Sequence, residues 1–581
     1  MKHLNLQLTL LLLVAFAGIN FNATAQGNPD PQPFIWNGSV SSDWDNPNNW
    51  TPNAIPTATS EITIPLTDNL LLISGVKAVE DLIINSDASL IIPVGATLNV
   101  NGDLDMYSES NSYASLIVNG TIVISGTAKY HRFTNSQSNG NDLVAPPLSG
   151  QTWSSFLTSD SNYNEGLIFN NGLQPTTTYL FGPFEKGTTD DYLLYDDNSL
   201  DVLVSGKGYR TATTTVNGDT LTFTGTIVTG SVNSIIENDM TGEYSEWNLI
   251  GNPYPAYIEV DAFLNHVGSV SGVSNLSLLN ASTAAIYGYN ANTAGSENNW
   301  TIANLASGET LIAPGQGFFV SSSSPIANLE FTPDMQVVGK TDDFIQGRSS
   351  ESINFVKVRM QSGADFYTTS IYFHENGSNG LDIGYDAAIF ENILPDFLLY
   401  SHLVENNEDL SMVIQTLNSS VIDNASISLG VNANQSQQVT FSIEDSYLPM
   451  SVNVYLEDNL NGTSTLLNTS NYTFTTNTTI NVTGRFFLHF TTEETMSLAE
   501  ASLKDLRVST NQTNRTIVIE GILPGETEVS VYDLLGRKVI QQNLDTAVNK
   551  QIINTSMLNS GLHIVQLQNG NQKITKKVIL K

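Results

Sequence analysis

Apolar and polar residues alternate along most of the chain in short runs rich in Val, Ile, Thr, Tyr and Phe, closed by Asn, Gly, Asp or Pro. A period of two puts every second side chain on one face of an extended strand. Segments repeating at 3.6 residues are scarce, and residues 262–267 and 276–279 predict no more than single helical turns. The pattern predicts an all-β protein.

The alternation changes character along the chain. Within 61–126 the runs EITI, DLII, SLII, ATLNV, SLIV and GTIVI are punctuated by Gly95, Gly102, Gly120 and Gly126. Strands this short with Gly corners predict the stacked turns of a β-solenoid, with an ordinary sandwich as the alternative because the spacing is irregular. Trp36, Trp44 and Trp50 precede this repeat. They suit either a cap on the open end of the solenoid or a sugar-stacking platform. Residues 26–129 are therefore taken as a Trp-rich cap and solenoid-like segment, and 130–345 as a β-sandwich region of one or two domains. Residues 346–490 read as another sandwich and 491–504 as a Glu-rich linker with some helical character. Residues 505–581 form a small C-terminal sandwich of Ig-like type. A polar stretch at 340–352 separates the two larger regions.

The N-terminus follows different rules. A short basic start at Met1, Lys2 and His3 leads into an apolar run at 8–17 and then small residues at Ala23 and Ala25. This is the pattern of a secretory signal peptide, residues 1–25, with cleavage between Ala25 and Gln26. The run is short for a membrane anchor, and polar Asn20, Asn22 and Thr24 follow it. No later stretch holds eighteen consecutive apolar residues.

Composition agrees with export. The chain has no cysteine, which avoids wrong disulfides in an oxidising envelope. Lys+Arg number 22 against 57 Asp+Glu, a formal charge of −35, while charged residues make up only 14%. Scarcity of bases is the cause, and such a field disfavours nucleic acid and anionic membranes as partners. The charge is also uneven. From residue 501 onward ten bases face six acids, so the tail is +4 and residues 1–500 are −39. A change of sign at a boundary marks a module with its own task.

Three segments of that tail carry a resemblance: VSVYDLLGRKV at 529–539, LNSGLHIV at 558–565 and KKVILK at 576–581. They resemble, in order, the C-terminal sorting domain of the type IX secretion system of Bacteroidota. The resemblance implies sorting positions at Tyr532, Gly536, Gly561, Lys576, Lys577 and Lys581. It implies the outer-membrane secretion machinery as a partner, and a secreted or cell-surface protein exported through the periplasm. Two departures bear on the start of the domain: no Pro-Asn-Pro turn stands near 509–514, and His563 replaces a tyrosine. The body resembles secreted surface proteins of the same phylum at GNPYP (251–255) and APGQGFF (313–319), which implies no particular activity.

Catalytic patterns are missing. There is no Gly-x-Ser-x-Gly elbow and no His-Glu-x-x-His, and the histidines His131, His266, His374, His402, His489 and His563 are scattered singly. The best local cluster is His374, Glu375, Asp382 and Asp386, but His374 and Glu375 point to opposite faces of a strand. Gly206-Lys207-Gly208 looks like part of a phosphate loop, yet it precedes no helix. For metal, Asp190, Asp191, Asp196, Asp197 and Asp201 place hard oxygen ligands in one loop region, a candidate calcium site whose order fits no EF-hand. A solvated acidic loop is the plainer reading. No other cofactor is indicated. Two functions follow: an adhesin-like or glycan-binding structural protein, not an enzyme; or, as the alternative, a secreted carbohydrate-active enzyme working through a carboxylate pair.

Overall fold

The computed structural model describes residues 33–580 except 136–141, 161, 163–167, 170–176, 188–190, 214–216, 290–299, 340–352, 391–393, 408–409, 493–502, 504–505, 512–513, 522, 524, 547, 549 and 571. The expected signal peptide with Ala25 and Gln26, the 340–352 stretch, most of the expected Glu-rich linker, Asp190 and Lys581 therefore lie outside the described residues. What is described is all-β, from a solenoid through sandwiches to a C-terminal sandwich.

Three parallel sheets wall the solenoid. One stacks Phe34–Trp36, Ile62–Ile64, Leu82–Ile84, Leu104–Glu109 and Ala128–Thr134. The second stacks Leu71–Leu72, Ser89–Ile92 and Ser115–Val118; the third stacks Val76–Val79, Thr97–Val100 and Thr121–Ile124. Ile62, Leu82, Leu104 and Ala128 lie in register, so successive turns consume 20, 22 and 24 residues. That growth is why the repeat in the sequence is loose. Alternation decides what faces inward: Ile62, Ile64, Leu82, Ile84, Leu104 and Met106 are buried, while Thr63, Ile83 and Asp105 face out. Each buried aliphatic side chain contributes roughly 1.5–3 kcal/mol. A Leu98→Asp change would place an unpaired carboxylate in that core. At the corner Gly120 a Cβ would lie 2.4 Å from the carbonyl oxygens of Pro93 and Ala96 on the turn beneath, so no side chain fits.

The tryptophans close the N-terminal end of this stack. Trp36, Trp44 and Trp50 are at most 2% exposed and meet edge to face, Trp50 lying 5.1 Å from Trp36 and 4.9 Å from Trp44. Their indole N–H groups donate to Asn69 O and Trp44 O. Buried rings of this kind offer no face to a sugar, so the cap reading is the one realised.

The other end of the stack is not a boundary. Ala128–Thr134 runs across position 129/130 and pairs antiparallel with Asp219–Ile227, which pairs with Leu148–Ser149. One hydrophobic core continues from Trp36 to Ile227 and takes in Trp153, Tyr179, Tyr195 and Tyr209. The short helix Trp153–Leu157, capped by the Thr152 hydroxyl, buries Trp153 and Phe156 there. A second core, from Ile236 to Met335, lies between small antiparallel sheets. Its helical turns are Val260–Asn265 and Asn275–Leu278, close to the two expected.

From Asn354 to Thr491 a single hydrogen-bonded path of strands folds over itself. Phe441 thereby packs 5.2 Å from Phe486 and Phe373 4.9 Å from Phe490, across the layers of a sandwich. Asp458, fully buried, takes a bidentate pair from Arg485 at 2.9 and 2.6 Å inside it. An aromatic hub then locks this sandwich to the preceding region. Phe390 stacks 4.2 Å from Trp300 and packs 4.3 Å from Trp247 and 5.4 Å from Phe319.

The tail is a seven-strand sandwich of three strands facing four, with its own core from Leu503 to Leu580. It touches the body narrowly. Arg507 Nη1 lies 3.2 Å from His402 Nδ1, and Gly521 abuts Gly484 closely enough that a Cβ at Gly484 would stand 2.6 Å from the Gly521 Cα.

Candidate binding groove

The acidic loop does not assemble into a metal cage among the described residues, where no three His, Asp or Glu side chains converge. The carboxylates of Asp191, Asp196 and Asp197 are used locally. Asp196 Oδ1 accepts from Asn198 N and from the Ser199 hydroxyl, closing an Asx turn. Asp197 accepts from the Tyr179 hydroxyl at 2.7 Å and from Thr177 N at 3.0 Å; these hydrogen bonds hold its carboxyl below the usual range. Asp191 accepts from Tyr192 N, and Asp201 lends its backbone carbonyl to Trp153 N. The loop reads as a pinned turn over the Trp153 core.

The His374 cluster is likewise structural. His374 stacks on Tyr385 at 5.0 Å and accepts from Asn376 N, while Asp382 accepts from Ser378 N and its hydroxyl. Asp386 is fully buried and accepts from Asp382 N and Thr416 N. Burial raises its carboxyl to about 7, against the pull of those two backbone hydrogen bonds. These groups tie the 375–386 loop to the strand Met412–Asn418; they do not line a cleft.

A groove of about 470 Å³ does open elsewhere, between residues 184–186, 204–207, 233–237 and 247–250. Its floor is the strand Trp247–Gly251, and one wall is the strand Val232–Ile236. The Ser205-Gly-Lys-Gly turn forms the other wall, and local sterics explain its sequence. Gly206 sits at φ +82°, where its Cβ would meet the Ser234 hydroxyl at 2.5 Å. Gly208 passes 2.6 Å, measured from its would-be Cβ, from the Ile250 carbonyl. Backbone bonds from Gly208 N to Leu249 O and from Gly251 N to Gly206 O fasten the turn to the floor. The two glycines thus serve to seat Lys207, not to cradle a phosphate.

Some polar groups of the groove are paired within it: Asn248 bonds the Glu237 backbone on both sides and the Ser234 hydroxyl donates to Gly206 O. Lys186 Nζ donates to Tyr244 O at 3.0 Å and Ser245 O at 2.6 Å. The Ser205 hydroxyl and the Trp247 indole N–H are buried without a hydrogen-bond partner. Glu185 and Glu237 complete the lining. Sequence reasoning set Lys207 aside as a failed phosphate loop and did not single out Lys186, Glu185 or Glu237. The four segments are distant in sequence, and the only signal was the rarity of bases in the body.

In the tail, the sorting positions occupy two places. Tyr532 ends the strand Glu528–Tyr532 and its hydroxyl reaches Gln566, while Gly536 (φ +76°) makes the following turn. Gly561 opens the strand Gly561–Asn569, which pairs throughout with the last strand, Gln572–Leu580. That last strand stands at the edge of its sheet with Lys573, Lys576 and Lys577 exposed. An edge strand bearing lysines is protected from stray pairing and offers a basic row for recognition.

Residues 35–490 match the family described as a domain of unknown function (DUF8693), and residues 511–581 match the secretion system C-terminal sorting domain. No curated protein matches the chain. Among solved structures it is similar to the BSP domain of a biofilm associated protein, at 9% identity over 76% of this chain and 90% of that one. The TM-score of that match is 0.14, which carries no argument about fold or function.

Proposed function

Because the chain belongs to the DUF8693 family and ends in a type IX sorting domain, we propose that it is an adhesin-like surface protein whose body holds a glycan. The sorting domain makes it an exported protein of the cell surface or medium and implies contact with the secretion machinery. In this reading the signal peptide delivers the chain to the periplasm, and the basic edge strand of the tail is what the outer-membrane machinery engages.

The observation that carries the glycan reading is the groove, with the ammonium of Lys207, the carboxylates of Glu185 and Glu237 and the amides of Asn233 and Asn248 along its lining. Hydroxyl-rich ligands use such mixed donors and acceptors. The stiff body supports the same reading, since fused cores suit a protein that works by holding.

The test is an array of immobilised glycans probed with the full secreted protein, beside adherence of cells with and without the gene. Retention of defined glycans and loss of adherence in the deletion are expected. Absence of both would overturn the reading, and release of cleaved oligosaccharides would favour the carbohydrate-active enzyme instead.

A further inference from the structure

The body is short of cations, and the placement of those among the described residues can be traced. Lys77 pairs with Asp45, Lys129 lies near Asp103 and Asp105, and Lys357 and Arg359 share Glu444. Arg485 is held by Asp458, Arg210 lies 4.9 Å over the Tyr192 ring, and Arg132 lies over Tyr113 and donates to Phe133 O. Lys186 is on the carbonyls of Tyr244 and Ser245. Among the described residues of the body, Lys207 is the one base whose side chain has no hydrogen bond, ion pair or ring contact. It stands in the groove on a turn that two glycines clamp to the floor.

An ordinary surface lysine needs no such stand, and in a molecule of charge −35 it would find a carboxylate easily. Lys207 instead lines the same groove as Glu185 and Glu237 without forming an ion pair with either. Cation and carboxylates kept apart suit a ligand carrying both kinds of partner: an anionic group for Lys207 and hydroxyls that donate to Glu185 and Glu237. Lys207, Glu185 and Glu237 bring both signs of charge from separate segments of the cavity, which suits the carboxylate and clustered hydroxyls of a saccharide.

Resting on the glycan reading above, we propose that this groove binds an acidic saccharide, with Lys207 taking the carboxylate of a uronic acid. The rest of the body repels polyanions. The site therefore accepts a single acidic unit within the groove and weakens as salt rises.

The test uses the full secreted protein with the methyl glycoside of galacturonic acid and the methyl ester of that glycoside, which differ by one charge and not in ring. Calorimetry should show the free acid binding about tenfold more tightly than the ester, as one charge-assisted hydrogen bond is worth. Lys207→Ala should erase that difference and Lys207→Arg should keep it, with unchanged melting curves showing that both variants fold. If both forms bind equally, or if Lys207→Ala leaves the preference intact, the acidic-saccharide assignment is wrong while the glycan reading stands. If neither form binds and the glycan array is blank, the glycan reading falls with it. Binding of an acidic peptide in place of either sugar would reassign the groove to a protein partner.

Discussion

The body and the tail solve the same problem of burying strand faces in opposite ways. In the body, cores run into one another: the solenoid core continues to Ile227, and the Phe390 hub joins Trp247, Trp300 and Phe319 across two regions. In the tail, one small core from Leu503 to Leu580 is closed on itself, and its contact with the body includes Arg507 on His402 and Gly521 on Gly484. Charge follows the same division, −39 against +4. A region that must act as a rigid whole shares its core; a region that must be read separately keeps its own.

Removing the tail should break this comparison most visibly. Deleting 505–581 should abolish surface display while the body melts within about 2 °C of the intact protein. Deleting 572–581 alone should do the same to display. Since that cut also strips a strand from the tail, Lys576→Glu with Lys577→Glu is the cleaner variant: both side chains are exposed, so the tail stays folded and display falls. Normal surface labelling of the charge-reversed protein would make the tail an ordinary structural domain.

The next effect lies in the body. Phe390→Ala removes a ring that touches five others and should cost about 3 kcal/mol. Calorimetry should then show one body transition splitting into two. An unsplit transition would mean that the regions do not depend on the hub for their coupling.

Acid and base should act on single carboxyls within the two regions. Asp386 has its carboxyl raised to about 7 by burial, so the native state holds a proton that the unfolded chain releases near pH 4. Between pH 4 and 7 the native state binds more protons, and stability falls as pH rises, by an amount on the order of 2–4 kcal/mol. Asp386→Asn should flatten that slope in urea titrations of the body. Asp533 in the tail has the opposite sign to Asp386, as Asp197 does in the body. Asp533, lowered by hydrogen bonds from Arg537 and Leu535, contributes stability present above the ordinary Asp range and lost as pH falls through its lowered value.

The smallest effect expected is that of metal. With Asp196 and Asp197 already engaged by Asn198, Ser199, Thr177 and Tyr179, chelator and millimolar calcium should give the same melting curve. A fall in melting temperature on chelation, restored by calcium, would return the 190–201 loop to the metal reading.

Local patterns were legible and distant meetings were not. The inward Ile62, Leu82 and Leu104 announced the solenoid, because alternation within one strand decides which side chain is buried. The tail was legible because a turn glycine, a strand and a lysine row lie close in sequence. The strand Asp219–Ile227 returns to Ala128–Thr134 after some ninety residues, as the partners Ala128 and Gly225 show, and nothing within either segment marks the other. The groove was hidden for the same reason: Lys186, Lys207, Glu237 and Trp247 each look ordinary alone. In the acidic loop Asp196 and Asp197 are neighbours in sequence, yet each accepts from its own backbone and hydroxyl donors.

The first wall of the solenoid ends, at both rims, in a strand running backwards. Trp50–Thr51 lies antiparallel on Phe34–Trp36, and Asp219–Ile227 lies antiparallel on Ala128–Thr134. On the second wall, Leu116 N bonds to Pro255 O, covering that rim with a different part of the chain. A parallel stack left open at such ends is a template: a second copy adds its own turn in register, and fibres grow. Reversal of the terminal strands means that another molecule's turns find no matching direction to continue. The first wall of the stack is thereby closed to continuation at both of its rims.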